Sequence, residues 1–437
     1  MNGLLRAEVG QMTDTARTGV TLGIFAAMMA LVLVRPRGWN EAWWTVLAAL
    51  AMLALGLVSP HEALDAALAG KSALLFLLSL LALSLLVGKS GFFDWAAIGC
   101  ARLARGDARA LYRNTFVLGA VVTAMLSLDA TAVILTPIVL ALVKRLKLPA
   151  VPYIVMCAFV ANVGSLLLPI SNLTNLLFAD AFHMTFASFA ARTLGPQLVA
   201  LVVTYALLGS RFRRQLPARF ASGDLAPPSS VIASRPYFAL CVVVLSVVLV
   251  GYFLAPLAGL EPYVVAFAGV GVLSVAGAAM GRLRVETIGE LSWGVFPFVL
   301  GLFVAVRGLE NLGLVRLSSS WLAQMPAGSP QKLLAAAGAT AIASNALNNL
   351  PAALIVRAVL QASHAHRGTV LAALVGADVG PIVTPFGSLA TMLVLLQARR
   401  GGESVPAGQL VKFGAWTAPV LIITTALALA LTFSVAR

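Results

Sequence analysis

The 437-residue chain is 60% hydrophobic and only 11% charged. Soluble domains carry about 25% charged residues, so this composition excludes a water-soluble fold, and the continuous apolar runs exclude an outer-membrane barrel, whose strands alternate apolar and polar positions. The net charge of +14 does not indicate a nucleic-acid partner, because the basic residues lie in short gaps between apolar runs, as the positive-inside bias predicts. We therefore expect an all-α polytopic membrane protein with no nucleic-acid partner.

Apolar runs follow one another along the whole chain and predict about 10 to 13 membrane elements, at about 20 residues for each simple span. Several runs are longer than one span, and Pro, Gly, Ser, Thr and Asn interrupt them, which predicts broken helices or re-entrant hairpins rather than smooth spans. The longest runs, in chain order, are 115–143, 150–179, 331–360 and 369–398.

An internal repeat relates the two halves of the chain. Residues 161–175 and 377–391 align at an offset of 216, with five of 15 positions identical. The matches include Gly164 with Gly380 and Pro169 with Pro385, which are the predicted helix-breaking positions. The same offset pairs Asp129 with Asn345. Paired Gly/Pro breaks are typical of transporters built from two inverted structural repeats.

A hydrophilic segment at 211–235 divides the two halves and carries five Arg against one Asp. Its basic character predicts that it is cytoplasmic. We expect five parts in this order: N-terminal spans at 1–70, a first transporter repeat at 71–210, the basic linker at 211–235, connecting spans at 236–289, and a second transporter repeat at 290–437.

Two aspartates stand alone inside apolar runs. Asp129 is the only charged residue between Arg113 and Lys144, and Asp378 is the only one between Arg367 and Arg399. Ionisable residues within a membrane are rare and mark proton or substrate sites by default, and removal from water favours the protonated form of a carboxyl group. We interpret Asp129 as the leading proton carrier and Asp378 as a second one. The alternative is that each only ties two helices together through hydrogen bonds.

Neutral polar side chains cluster beside the predicted breaks. In apolar surroundings these groups need partners, and with the backbone groups freed at the breaks they form a set of donors and acceptors near the bilayer midplane. The alternative interpretation is interhelical packing by small polar residues. The candidate substrate-binding side chains are Asn162, Ser171, Asn172, Thr174, Asn175, Asn345, Asn348, Asn349, Ser388 and Thr391.

The sequence indicates neither catalytic nor metal-binding residues. It has no Walker phosphate-binding loop, so no ATPase is expected within it, and its four histidines lack metalloprotease spacing. Cys100, Cys157 and Cys241 are far apart and predict neither a disulfide framework nor a zinc motif. We expect a non-enzymatic protein without a cofactor.

Several of these segments together resemble the bacterial arsenite efflux permeases of the ArsB type, within the ion transporter superfamily. The order and approximate spacing of the matching segments hold over most of the chain from about residue 70 to 434. The resemblance adds Gly387 to the candidate substrate site. The segments are 128–141 (LDATAVILTPIVLA), 169–175 (PISNLTN), 345–352 (NALNNLPA), 376–381 (GADVGP) and 387–391 (GSLAT).

The resemblance implies a multi-pass protein of the bacterial cytoplasmic (inner) membrane that exports trivalent arsenite or antimonite by alternating access. It implies that proton uptake drives export, with optional help from a separate soluble, arsenite-stimulated ATPase. Arsenous acid is a neutral trihydroxide at pH 7, which suits a site of neutral amides and hydroxyls. The alternatives within the superfamily are a sodium- or proton-coupled transporter of carboxylates or another small anion, and a sodium/proton antiporter.

Overall fold

The computed structural model describes residues 14–34, 36, 39–221, 225–283, 285–326 and 328–435. The regular structure in these ranges is helical, which confirms the predicted all-α polytopic fold. Six of the described helices are long and apolar enough to cross a membrane. Two shorter apolar helices, Ala150–Val163 and Asn349–Ala362, are arms of interrupted elements.

The α-helices are numbered in chain order. They are α1 (Asp14–Val34), α2 (Glu41–Ala54), α3 (Pro60–Ala69), α4 (Lys71–Lys89), α5 (Phe92–Leu103), α6 (Ala108–Met125), α7 (Leu128–Ala130), α8 (Thr136–Arg145), α9 (Ala150–Val163), α10 (Leu173–Ala181), α11 (Phe186–Phe212), α12 (Arg235–Leu254), α13 (Pro262–Ala279), α14 (Val295–Asn311), α15 (Leu314–Ala323), α16 (Pro330–Leu347), α17 (Asn349–Ala362), α18 (Arg367–Asp378), α19 (Leu389–Arg400) and α20 (Ala407–Val435).

The first repeat consists of a hairpin, a broken helix and a long span. The hairpin arms are α6 and the segment from α7 to α8, which contains a π-helical turn at Thr131–Leu135. Pro137 explains this turn, because proline has no N–H to donate within the helix, and π-bulges accommodate such interruptions. The broken helix is α9 and α10 with a non-helical segment between them, and α11 is the long span that follows.

The second repeat has the same parts in the same order. Its hairpin is α16 and α17, its broken helix is α18 and α19, and its long span is α20. The first hairpin arms, α6 and α16, both have 18 residues, and the long spans have 27 and 29 residues. Both predicted helix interruptions, at 161–175 and 377–391, are therefore present.

The first hairpin opens on the face that carries the basic linker. The backbone N–H of Phe220, in the linker, donates to the Gly106 carbonyl at 2.8 Å, just before α6. At the end of α8, Lys144 donates to the Gly401 carbonyl and forms a 3.4 Å ion pair with Glu403. The loop between α19 and α20 is thus on this same face, which we name the linker face.

The second hairpin opens on the opposite face. His366, at the open end of this hairpin, packs its ring 5.8 Å from the ring of Phe433 near the end of α20. The guanidinium of Arg192, near the start of α11, lies 5.8 Å from the same ring. The two long spans are therefore antiparallel, and the corresponding hairpins face opposite sides, as inverted repeats require.

The offset of 216 residues does not hold at the hairpins. Asp129 lies in α7, just after the first hairpin's interruption, whereas Asn345 lies in α16, before the interruption at Asn348. The predicted pairing of Asp129 with Asn345 is therefore wrong. The structure instead relates Ser127 to Asn348, because each caps the second arm of its hairpin: the Ser127 hydroxyl accepts from the Ala130 N–H, and the Asn348 side chain accepts from the helix that follows it.

Candidate functional site

The two broken helices cross each other near the centre of the protein. The first arm of each one packs against the second arm of the other, so α9 contacts α19 and α10 contacts α18. Gly164 is the C-cap of α9, and Pro169 begins a 3₁₀ turn over Pro169–Ser171. Gly380 and Pro385 lie in the non-helical segment between α18 and α19. All four predicted helix-breaking residues are at the crossing.

Asp378 joins the two repeats. It is the last residue of α18 and has a relative exposure of 0%. Its Oδ1 accepts hydrogen bonds from Asn172 Nδ2 at 2.8 Å and Thr174 Oγ1 at 2.9 Å. Both donors are at the start of α10, so the positive end of that helix also faces the carboxylate. Among the described residues, Oδ2 has no hydrogen-bond partner.

Asn162 makes the corresponding junction in the other repeat. It lies near the end of α9, at the position that the offset of 216 relates to Asp378. Its Nδ2 donates to Thr391 Oγ1 at 2.9 Å, and the Ser388 hydroxyl donates to the same oxygen at 3.1 Å. Ser388 also caps α19 by accepting from the Thr391 N–H at 3.1 Å. The amide of Asn162 thus has in the first repeat the position that the Asp378 carboxylate has in the second.

Asn345 stabilises the backbone conformation of the second interruption through hydrogen bonds. Its Nδ2 donates to the Gly380 carbonyl at 2.8 Å. Its Oδ1 accepts from the backbone N–H groups of Val383 at 3.2 Å and Thr384 at 3.0 Å. Backbone groups that leave a helix inside a membrane must find partners within the protein, and Asn345 supplies them.

The tip of the second hairpin is bound to the same interruption. Asn348 adopts a φ of 79°, and its Nδ2 donates to the Phe386 carbonyl at 3.0 Å. The backbone N–H of Asn349 donates to the Gly387 carbonyl at 2.8 Å. A Cβ at Gly387 would lie 2.8 Å from both Asn345 Oδ1 and the Pro381 carbonyl oxygen, so the close approach requires glycine. These predicted site residues mainly connect the hairpin tip to the broken helix.

The first interruption is held in a similar way. The Ser171 hydroxyl donates to the Ala124 carbonyl at 2.8 Å, which ties the 3₁₀ turn to the tip of the first hairpin. Asn175 donates through Nδ2 to the carbonyls of Ser165 at 2.7 Å and Leu168 at 3.2 Å. Asn175 Oδ1 and Asn162 Oδ1 are buried without partners in the part of the chain that the structure describes. Together with Asp378 Oδ2, they are buried acceptor oxygens without donors around the crossing.

Asp129 differs from Asp378 in its surroundings. It is half-buried, and no hydrogen bond or ion pair connects it to the described residues of the crossing. It begins the arm that contains the π-helical turn, at the tip of the first hairpin. Of the two predicted proton carriers, only Asp378 contacts the predicted polar set. No group of three or more His, Cys, Asp or Glu residues is placed to hold a metal ion within the described ranges.

The structure adds Gln197 and Thr193 to the site. Both are buried in α11, and Gln197 Nε2 donates to the Val163 carbonyl at 2.9 Å where α9 ends. The Thr193 hydroxyl donates to the Leu167 carbonyl at 2.9 Å. Neither residue is among the predicted site residues, because both lie in a single continuous helix rather than in one of the interrupted runs. The available signal was an isolated amide beside Pro196 in an otherwise apolar span.

Comparisons with known proteins agree with the predicted family. The family model described as arsenical pump membrane protein (ArsB) matches residues 20–431. An arsenical pump membrane protein of Escherichia coli is 31% identical over 422 residues, which cover 94% of this chain and 98% of the relative. A putative arsenical pump membrane protein of Bacillus subtilis is 26% identical over 92% of this chain and 96% of its own length.

A solved structure has a similar fold. The YdaH transporter of Alcanivorax borkumensis, whose crystal structure is described as having an unusual topology, superposes with a TM-score of 0.56. The match covers 83% of this chain and 85% of that chain at 19% identity. At this identity the similarity concerns the fold alone, and it agrees with the all-helical polytopic architecture described above.

Proposed function

The chain belongs to the arsenical pump membrane protein family and is therefore a membrane transporter of arsenicals; from this premise we infer that it is a proton-coupled exporter of arsenite and antimonite that works by alternating access. We place it in the bacterial cytoplasmic membrane, with the linker face in the cytoplasm. The basic residues at that face, which include Lys144, Arg145 and Arg219, support this orientation.

The observation that carries the proposal is the junction at Asp378. This carboxyl group is buried, ends one broken helix and accepts hydrogen bonds from the start of the other. Burial favours its neutral form, whereas the two donors and the helix N-terminus favour its charged form. These opposing influences suit a group that takes up and releases a proton, and each change of charge acts directly on the contact between the repeats.

The energy of one proton is sufficient for detoxification. A proton that enters down 100 mV releases about 2.3 kcal/mol. That energy supports a gradient of about fiftyfold for a neutral solute. We propose that Asp378 carries this proton at the junction and that Asp129 is a second proton-coupling group at the tip of the first hairpin.

The unpaired acceptors around the crossing favour a neutral ligand with hydroxyl groups. Asp378 Oδ2, Asn162 Oδ1 and Asn175 Oδ1 are buried oxygens without donors in the described structure. A buried acceptor without a partner costs about 1 to 3 kcal/mol, and arsenous acid carries three O–H donors. We propose that the crossing binds it through these oxygens, while Asn345, Asn348 and Gly387 support the site from the hairpin side.

The test is arsenite transport into everted membrane vesicles that contain the protein. We expect accumulation that a protonophore abolishes and that antimonite competes for. Asp378→Asn should abolish the proton-driven accumulation, because asparagine keeps the size and one acceptor oxygen of the side chain but cannot exchange a proton. Asp129→Asn should lower the rate if Asp129 also handles protons, and an unchanged rate would remove Asp129 from the mechanism.

The same vesicles distinguish the rivals. Sodium-stimulated uptake of citrate or succinate without arsenite movement would replace the proposal by a sodium/carboxylate transporter. Sodium movement in exchange for protons, without arsenite, would indicate a sodium/proton antiporter. Addition of a purified soluble arsenite-stimulated ATPase with ATP should increase accumulation if such a partner binds, and an unchanged level would contradict that association.

A further inference from the structure

Two adjoining cavities lead from the face opposite the linker toward the crossing. One, of about 410 Å³, is lined by Pro169 of the first interruption, by Ala179 and Asp180 of α10, and by His183. The other, of about 350 Å³, shares Asp180 and His183 with it. Each volume is large enough for several water molecules, which occupy about 30 Å³ each in the liquid. The pair therefore connects the opposite face with the first broken helix, where Asn172 and Thr174 at the start of α10 donate hydrogen bonds to Asp378.

The second cavity has an unusual concentration of charge. A neighbouring carboxyl group, Glu261, lines the first cavity. The charged and titratable groups of the second cavity come from four elements that meet there. They are Asp65 of α3, Arg307 and Glu310 of α14, Arg357 of α17, Asp180 of α10, and His183 after α10. Ion pairs already engage some of them: His61 with Asp65 at 2.9 Å and Arg307 with Glu310 at 2.9 Å.

These pairs engage neither Asp180 nor Arg357, and His183 after α10 is likewise outside them. Asp180 is exposed to the cavity space, and Arg357 Nε is buried without a hydrogen-bond partner in the described part of the chain. Asp180 is also at the far end of α10, the short helix whose first turn donates to Asp378. An acidic group and its balancing cation thus line one end of a helix, and the buried carboxyl group lies at its other end.

From this arrangement, and resting on the proton-coupled function proposed above, we infer that the two cavities form the outer proton route, in which Asp180 takes a proton from the external solution and passes it through cavity water toward Asp378. The transfer moves only a proton: Asp180 becomes neutral when it accepts and is negative again when it donates. Arg357 has a positioning role, because its fixed positive charge offsets the carboxylates that share the cavity.

The test compares Asp180→Asn with Asp65→Asn in proteoliposomes of the full-length protein. Asp65 lines the same cavity but belongs to α3 and is already paired with His61, which makes it a matched control. We expect Asp180→Asn to slow proton-driven arsenite transport by about a hundredfold, the lower end of the range typical for loss of one proton-transfer group, and Asp180→Glu to restore it. Exchange of labelled arsenite at equal pH on both sides should stay normal, because exchange needs no net proton transfer.

The possible results separate this inference from the proposed function. If the wild-type protein moves arsenite without any counterflow of protons, the proposed function fails. If the wild type is coupled and Asp180→Asn behaves like Asp65→Asn, only the proton route is wrong. If Asp180→Asn slows exchange as much as driven transport, the residue has a structural role and the inference is also overturned.

Thiol labelling provides an independent measurement. In a Cys100→Ser background, a membrane-impermeant thiol reagent should modify Ala179→Cys from the opposite face, because Ala179 lines the first cavity. Ser210→Cys is the control, since Ser210 is near the end of α11 at the linker face and is exposed. Modification of Ala179→Cys only from the linker face would contradict the route.

Discussion

The two interruptions of the broken helices share an architecture but differ in charge. In the first, the amide of Asn162 donates to Thr391 across the crossing. In the second, the carboxylate of Asp378 accepts from Asn172 and Thr174. The repeat therefore keeps the position and the cross-repeat contact of the residue, while one copy has an ionisable side chain and the other has a neutral one.

This difference gives the crossing of a symmetrical fold a carboxyl group in one repeat only, which is the group proposed above for coupling. A second buried carboxylate at Asn162 would bring another charge out of water, and an ion within the protein is costly unless it is paired. An asparagine makes the same kind of junction without that cost. The second repeat thus holds the carboxyl group proposed for coupling at the crossing, and the first repeat supplies the hydrogen-bond donors that contact it.

Moving the carboxyl group between the repeats should have the largest effect. In the double variant Asn162→Asp/Asp378→Asn, we expect proton-driven arsenite accumulation to fall to the level of vesicles without the protein. The reason is that the new carboxyl group has only the Thr391 hydroxyl opposite it as a side-chain partner, whereas Asp378 accepts from both Asn172 and Thr174. Accumulation with and without a protonophore measures the effect.

Asp378→Glu is the control for the charge alone, and it should retain part of the driven transport. Recovery of wild-type accumulation in the double variant would show that the two interruptions are equivalent for coupling, contrary to the proposal.

Replacing one helix-breaking glycine of each interruption by alanine should show that the two interruptions differ in how tightly they are packed. A Cβ at Gly380 would overlap Ala341 Cβ and lie 2.8 Å from Ala341 Cα, so the backbone of α16 would have to move. A Cβ at Gly164 would lie 2.5 Å from the Val160 carbonyl oxygen of its own helix, just as one at Gly380 would meet the Gly376 carbonyl oxygen, but its nearest atom on another helix is Thr123 Cβ at 3.2 Å. Overpacking costs about 1 to 3 kcal/mol, and we expect Gly380→Ala near the upper end and Gly164→Ala near the lower end. Thermal unfolding in detergent measures the order, which an equal loss for both variants would contradict.

The architecture of the crossing could be predicted from sequence because its signals are local. Gly164, Pro169, Gly380 and Pro385 interrupt apolar runs in both halves, and each break follows from the chemistry of its own residues. Partner choice could not be predicted, because Asp378 meets Thr174 only after the chain has folded. No local pattern indicates a contact between residues that are 204 positions apart.

The hairpins show where a single offset fails. The offset of 216 is correct for the broken helices, but the second hairpin's interruption is several residues later than that offset predicts. Apolar helices tolerate such a shift because their composition hardly changes along the run. The offset therefore pairs Asp129 with Asn345, which lies on the other side of its interruption, and no break in its span marks Gln197.

Removing one hydroxyl from each junction should have a smaller effect than Gly380→Ala, the glycine variant with the larger expected loss. Thr174→Val removes a donor to the Asp378 carboxyl group, and hydrogen bonds to charged groups contribute about 1.5 to 3 kcal/mol. Thr391→Val removes an acceptor from Asn162, whose Nδ2 keeps its 2.8 Å bond to the Ala158 carbonyl, and neutral bonds contribute about 0.5 to 1.5 kcal/mol.

We expect Thr174→Val to lower both the unfolding temperature and the driven transport rate more than Thr391→Val does. Thermal unfolding and vesicle transport of the same preparations make the measurement. The reverse order of the two variants would indicate that the Asn162 junction is the more important of the two.

The smallest expected difference concerns the first turns of the two hairpins. Asp107 caps α6 by accepting from the N–H groups of Arg109 and Ala110, and these hydrogen bonds, first the one from Ala110, lower the pKa of Asp107 below its ordinary value of 3.8. Ser329 caps α16 through a hydroxyl that does not titrate. Because the pKa of Asp107 is lower in the folded protein, its stabilising contribution is complete above the ordinary pKa and is lost as the pH falls through the folded value.

Acid should therefore loosen the start of the first hairpin but not that of the second. The cap contributes about 1 kcal/mol, and Asp107 is exposed, so the effect stays within the first turn of α6. Hydrogen–deuterium exchange at pH 3 and pH 6, expressed as protection factors, should show a loss of protection at Arg109 and Ala110 in acid and none at Lys332. Asp107→Asn should remove the pH dependence, because asparagine caps without titrating. Equal loss of protection at both hairpins in acid would mean that their first turns open together, through the contacts that join the repeats rather than through their caps.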